Sequence, residues 1–218
     1  MRTTTLTSAL ALTAAVSIAS AEPVILNGDM NGGIGMATAP TDWMVGQATP
    51  DVVNASGPFN NTGTPWTESP NGGTFARMNG VGNFQSESIT QNVSGFEVGQ
   101  MYELSFYATN LGFRVNSTGF WDGFDGVFEF YADGQLVAIS DALSKQANSA
   151  DPIVWTLQSV MFEASASDFL LEIRAETTAG ALQIAYMGID GLDVALVPAP
   201  SALALMGLMG LSATRRKR

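Results

Sequence analysis

The sequence predicts an all-β fold: one antiparallel β-sandwich or jelly roll, with an N-terminal signal helix and a short C-terminal hydrophobic helix outside it. Three observations carry this expectation. Apolar side chains recur at period two in several short runs, as half-buried strands require. Twenty-three glycines and recurrent turn residues separate those runs. No sustained 3.6-residue pattern lies between them, so the helices of an α/β fold are missing.

The elements follow in order. Val24-Ile25-Leu26 reads as a strand entering the turn Asn27-Gly28-Asp29. Residues 31–74 are rich in Gly, Pro, Asn and Thr and read as long loops with short strands such as Asp51 to Asn54. Alternation then improves in Phe75 to Asn79, Ser88 to Val93 and Tyr102 to Ala108, the last entered through the turn Phe96 to Gln100. A Gly- and aromatic-rich segment, Phe113 to Asp125, precedes Val127 to Tyr131. Asp133-Gly134 then links that run to Gln135–Ile139 as a hairpin. Residues 140–152 form a polar loop with room for one helical turn. Val154 to Ala164, Phe169 to Ala175, Gln183 to Met187 and Ile189 to Leu196 complete the strand set.

Composition narrows the chemistry. All twenty acidic residues lie between Glu22 and Asp193, against four basic ones there, Arg77, Arg114, Lys145 and Arg174. A body that acidic repels phosphate backbones, so nucleic acid is not an expected partner. The chain has neither Cys nor His. That removes thiol nucleophiles, imidazole bases and imidazole- or thiolate-based metal sites, leaving carboxylate chemistry and oxygen-ligated hard cations. On this ground the body is expected to be non-catalytic.

The two ends carry addresses. Residues 1–21 combine a weakly positive start, an apolar stretch through Ile18 and the small-residue site Ala19-Ser20-Ala21, the pattern of a secretory signal cleaved after Ala21. Residues 22–196 form the expected sandwich, and 197–218 a sorting or anchor segment. In that segment Val197, Pro198, Ala199 and Pro200 precede an apolar run and the basic end that includes Arg215 and Arg216. The twelve residues from Ala202 to Ala213 would reach roughly 18 Å as a helix, short of the roughly 30 Å hydrocarbon core. Transient membrane contact, with the basic end kept on the cytoplasmic side, is the expectation, rather than a lasting span.

Two resemblances add to this reading. Leu26-Asn27-Gly28-Asp29, Trp43, Ser88 to Val93, Gly99 to Tyr107, Trp155-Thr156-Leu157 and Gly188 to Val194 together resemble galactose-binding-like jelly-roll domains of bacterial cell-surface proteins and carbohydrate-binding modules. That resemblance implies ligand loops at one end of the sandwich and a structural calcium near the chain ends. The C-terminal segment resembles the PEP-CTERM sorting signal, which implies an exosortase-like processing enzyme and delivery to the cell surface or extracellular matrix. The chain carries Ala199 where that motif has Glu.

The most site-like stretch is Gly119 to Gly126, where Trp121 offers a face for sugar C–H surfaces and Asp122 and Asp125 offer hydroxyl acceptors. Trp66, in a polar loop, is a further exposed candidate for carbohydrate contact. Asp29, Asp190 and Asp193 are the candidate calcium ligands, because such a site needs only oxygens. The expected role is an exported surface or matrix protein that binds polysaccharide. A purely structural component without a ligand, and a glycosidase built on Asp122 and Asp125, are the alternatives.

Overall fold

The computed structural model describes residues 22–56, 66–115 and 120–198. The signal segment and the tail beyond Pro198, with Ala199, Pro200, Arg215 and Arg216, lie outside them, as do Ala19 and Ala21. Among the described residues there is no helix, and the strands in chain order are β1 (Met44–Gln47), β2 (Asp51–Val53), β3 (Phe75–Val81), β4 (Ser88–Ser94), β5 (Met101–Asn110), β6 (Phe113–Val115), β7 (Phe120–Asp122), β8 (Gly126–Ala132), β9 (Gln135–Ile139), β10 (Thr156–Glu163), β11 (Asp168–Thr177) and β12 (Ile184–Leu196). They form two antiparallel five-stranded sheets, ordered β1-β4-β11-β8-β9 and β10-β5-β12-β3-β2, and a β6-β7 ribbon. The predicted sandwich is therefore the observed one. Among the described residues no helix is long and apolar enough to cross a membrane.

Alternation decides which faces meet. In β8 the inward residues Phe128 and Phe130 are buried while Val127, Glu129 and Tyr131 are partly exposed; in β11 Phe169, Leu171 and Ile173 point in. Facing them across the core, β5 contributes Tyr102, Leu104 and Phe106. Phe106 packs 5.1 Å from Phe130 and 6.4 Å from Phe128, centroid to centroid. Phe96, Tyr102, Phe162 and Phe169 close one end of this core with ring separations of 4.8 to 6.1 Å. A second apolar cluster, which includes Val53, Trp66, Phe75, Leu111, Ile153 and Tyr186, lies apart from this core. Phe75 and Tyr186 share the face of the second sheet that carries Arg77, Gly188 and Asp190, opposite the face of Ala76, Met78, Met187 and Ile189 that joins the core.

Three local differences have physical causes. Val24 to Leu26 makes only an isolated bridge, Val24 to Ser94, because the amide group of Gln91 bonds both the N–H and the C=O of Leu26, each at 2.8 Å, where a strand would have. The short strands expected among the loops of residues 31–74 are observed as β2 and as β1, which pairs with β4 although its first three residues are exposed. Residues 184–196, expected to divide between two strands, form the single strand β12, since Gly188 continues the ladder with its missing side-chain volume closed over by Thr109, Trp155 and Phe75. The break instead falls at a bulge between Asp190 and Asp193, where Gly191 has φ of 61°. Finally, residues 140–152 hold no helical turn; the bridge between Gly126 and Leu143 ties them to β8.

Candidate functional site

At one end of the sandwich three connections converge: the β7–β8 turn, the strap of residues 140–147 after β9, and the β11–β12 turn. They line an open pocket of about 520 Å³, with Phe124 and Asp125 on the first wall, Lys145 and Gln146 on the second and Thr178 on the third. The turn is held from both sides. Thr178 N–H and the hydroxyls of Thr177 and Thr178 donate to the Asp125 carbonyl at 2.9, 3.2 and 3.1 Å, and Phe124 N–H donates to Ile184 O at 2.9 Å.

A buried amide joins turn to strap. Asn110, 1% exposed at the end of β5, donates through Nδ2 to the carbonyls of Phe124 and Leu143 at 2.9 and 3.0 Å, and its Oδ1 accepts from Gly112 N–H at 3.1 Å. Asn110 positions the site without lining this pocket, and an isolated Asn at a strand end has no sequence motif that reveals it.

The predicted loop residues take different roles. Asp125 is exposed and lines the pocket. Its neighbour Phe124 supplies the aromatic face, being 37% exposed. Trp121 braces the strap instead: its indole N–H donates to Gln146 O at 2.8 Å, Lys145 Nζ lies 5.4 Å from its ring centroid, and Gly112 with φ of 56° sits where any Cβ would strike the ring. Asp122 Oδ1 accepts from Gly123 N–H at 2.7 Å, which fixes the turn. The structure therefore does not bring Asp122 into the pocket that Asp125 lines. Trp66, expected to be exposed, is 7% exposed, packed 6.3 Å from Phe75 in the outer cluster, and offers no face to a ligand. Its polar neighbours in sequence concealed that burial.

Of the calcium candidates, the structure brings Asp29 and Asp190 near each other and leaves Asp193 apart. Asp190 is fully buried at the β12 bulge, where its Oδ1 accepts from Gly191 N–H at 2.8 Å and its Oδ2 has no hydrogen-bond partner. Burial pushes this carboxyl up to about 7; hydrogen bonds from Ser69 and the Gly191 amide oppose the shift, and the nearby Asp29 charge adds to it. Asp29 is held by Asn71 Nδ2 at 2.8 Å. Asp193 is exposed beyond the bulge. Among the described residues no three acidic side chains gather as a metal group. Calcium takes six to eight oxygens, of which loop carbonyls and neutral side chains can supply those that two carboxylates do not.

No protein-family model matches the chain, and no characterised protein matches it in sequence. Among solved structures it is similar to the apo form of a cyclase from Fischerella sp., 17% identical with a TM-score of 0.54, covering 83% of this chain and 98% of that one. It is also similar to a Stig cyclase from Fischerella sp. TAU in complex with an indole compound, 18% identical with a TM-score of 0.52, covering 83% of this chain and all of that one. A xylan-binding domain from Paenibacillus barcinonensis aligns over 83% of this chain and 97% of that domain, at 13% identity and a TM-score of 0.42. Likeness to the two cyclases at these identities establishes the fold alone.

The expectation of a non-catalytic body is corrected to this extent: solved structures that share its fold include cyclases, which are enzymes. Lack of His and Cys was too weak a ground for it.

Proposed function

We propose that this chain is an exported cell-surface or extracellular-matrix protein whose sandwich binds polysaccharide at the pocket between the β7–β8 turn and the strap. The observation that carries the reading is the make-up of that pocket: one exposed aromatic face, Phe124, surrounded by the carboxylate of Asp125, the ammonium of Lys145, the amide of Gln146 and the hydroxyl of Thr178. An apolar face ringed by hydrogen-bonding groups of both kinds suits a ring with C–H faces and hydroxyl edges. The threonine and asparagine bonds that fix the turn hold this arrangement ready before a ligand arrives.

Glycan-array screening of the purified chain, followed by calorimetric titration, tests the reading. Phe124→Ala is expected to weaken the best ligand about tenfold, equivalent to about 1.4 kcal/mol, with a modest loss of thermal stability because the ring is only 37% exposed. A chain that bound no glycan at high concentration would instead be a structural envelope component.

Export is proposed through the signal segment, with an exosortase-like enzyme processing the tail after transient membrane contact. The tail is joined at the end of β12, where Val197 N–H still bonds Met101 O at 2.9 Å and Pro198 is exposed. Cleavage beyond Pro198 would therefore leave the described sheet pairing whole. Mass spectrometry of the secreted protein should find a C-terminus upstream of Arg218; a secreted form still ending in Arg218 would exclude processing.

A further inference from the structure

A second pocket, of about 680 Å³, lies on the other side of the strap, between it and the edge strand β10. Ser144 and Gln146 line it from the strap, Thr156 and Gln158 from β10, and the buried Asn110 and Leu143 lie behind them. Gln146 also lines the first pocket, so the two cavities share a wall.

Two side-chain oxygens of this slot are unaccounted for. Gln146 Oε1 and Gln158 Oε1 are both buried without a hydrogen-bond partner. Gln158 is 9% exposed, and its Nε2 reaches Asp141 O only at 3.4 Å, the long limit of a hydrogen bond. Buried acceptors without partners are rare in native folds because each has lost water and gained nothing. An amide at a cavity wall turns its oxygen inward by rotation of its last side-chain bond, so a bound molecule can supply what the fold does not. Both orphans are acceptors, so that molecule presents donors.

The remaining lining narrows its class. Among the described residues Asp141 is the only charged one lining it, which disfavours an anion, and the exposed Val154 and Leu157 give one rim an apolar surface. Hydroxyl donors, an apolar ring face and absence of negative charge together describe a neutral sugar unit.

We infer that this slot is a second subsite for the neutral polysaccharide proposed above, so that one chain crosses the strap and occupies both pockets. The inference rests on that reading of the first pocket and adds the ligand's neutrality and its minimum length of two units.

The test uses the full chain with neutral gluco-, xylo- and galacto-oligosaccharides of one to six units, titrated by calorimetry. Affinity should rise between one unit and the length that reaches both pockets. Gln158→Met, which keeps the side-chain length and removes the unpartnered oxygen, should lower hexasaccharide affinity about tenfold. It should leave monosaccharide affinity intact and the melting temperature unchanged or higher. Hexasaccharide affinity unaffected by Gln158→Met, with Phe124→Ala still weakening it, overturns the second subsite alone. A lowered melting temperature in Gln158→Met overturns it too, because the amide would then serve the fold. No binding of any oligosaccharide by the unaltered chain overturns both this inference and the first pocket's reading.

Discussion

Raising the pH from about 5 to 8 is expected to lower the unfolding free energy of this protein by several kcal/mol, the reverse of ordinary acid denaturation. Glu87 and Asp190 cause it. Glu87 is 6% exposed in the connection between β3 and β4, where Oε2 accepts from Asn79 N–H at 2.7 Å and Oε1 from Thr49 at 3.2 Å. Burial nevertheless pushes its carboxyl up to about 7; the Asn79 amide and the Arg77 charge pull it down and the Asp51 charge adds to the rise. Asp190 is also pushed up to about 7, again mainly by burial.

A carboxyl raised in this way binds more protons folded than unfolded. Stability is therefore greatest below the unfolded-state values, near 4, and falls as pH rises through about 7. Each group can contribute on the order of 3 kcal/mol across that window. The excess of acidic residues acts in the same direction through self-repulsion. Urea unfolding at pH 5, 6, 7 and 8 reads the effect, and Glu87→Gln should remove about half of the slope. A flat profile would mean that neither carboxyl is buried as described.

Replacing Arg77 by leucine is expected to cost about 3 to 5 kcal/mol at pH 7, the range for breaking a buried ion pair from one side. Arg77 is 7% exposed on β3, bonds the Asp51 carboxylate across the β2–β3 pairing, and lies 5.8 Å from the Tyr186 ring centroid. Leucine would fill much of the space but leave the buried Asp51 and the adjacent Glu87 without that positive charge. Asp51 would keep the bond that Ala37 N–H donates to it at 3.1 Å, which does not offset a charge. The loss should shrink at pH 5, where Glu87 is already protonated. Equal loss at both pH values would assign the effect to packing rather than charge.

The parts of this fold that the sequence disclosed are those where burial and periodicity coincide. In β5, β8 and β11 the same residues that alternate also face the core, and Asp133-Gly134, with φ of 48° and 77°, makes the hairpin its composition implies. Where pairing came without burial, as in the exposed β1, no pattern existed to read. Gly188 misled because a glycine inside a strand marks a break unless another side chain covers it, as Trp155 does here. The turn at Phe124 and Asp125 was legible as a loop of aromatics, acids and glycines. Its aromatic contact moved from Trp121 to Phe124 because only the folded chain places Gly112 and Lys145 against the tryptophan ring. Asn110 and Gln158 were invisible, since amides acting through hydrogen-bond geometry leave no motif in one sequence.

The most direct measurement of the central claim is calorimetric titration of the full chain with neutral polysaccharide, alongside Phe124→Ala and a distant surface control such as Val98→Ala. Binding by the parent chain and the control, weakened about tenfold in Phe124→Ala, is the result this account predicts. Equal binding by all three proteins would place the ligand elsewhere on the sandwich and contradict it.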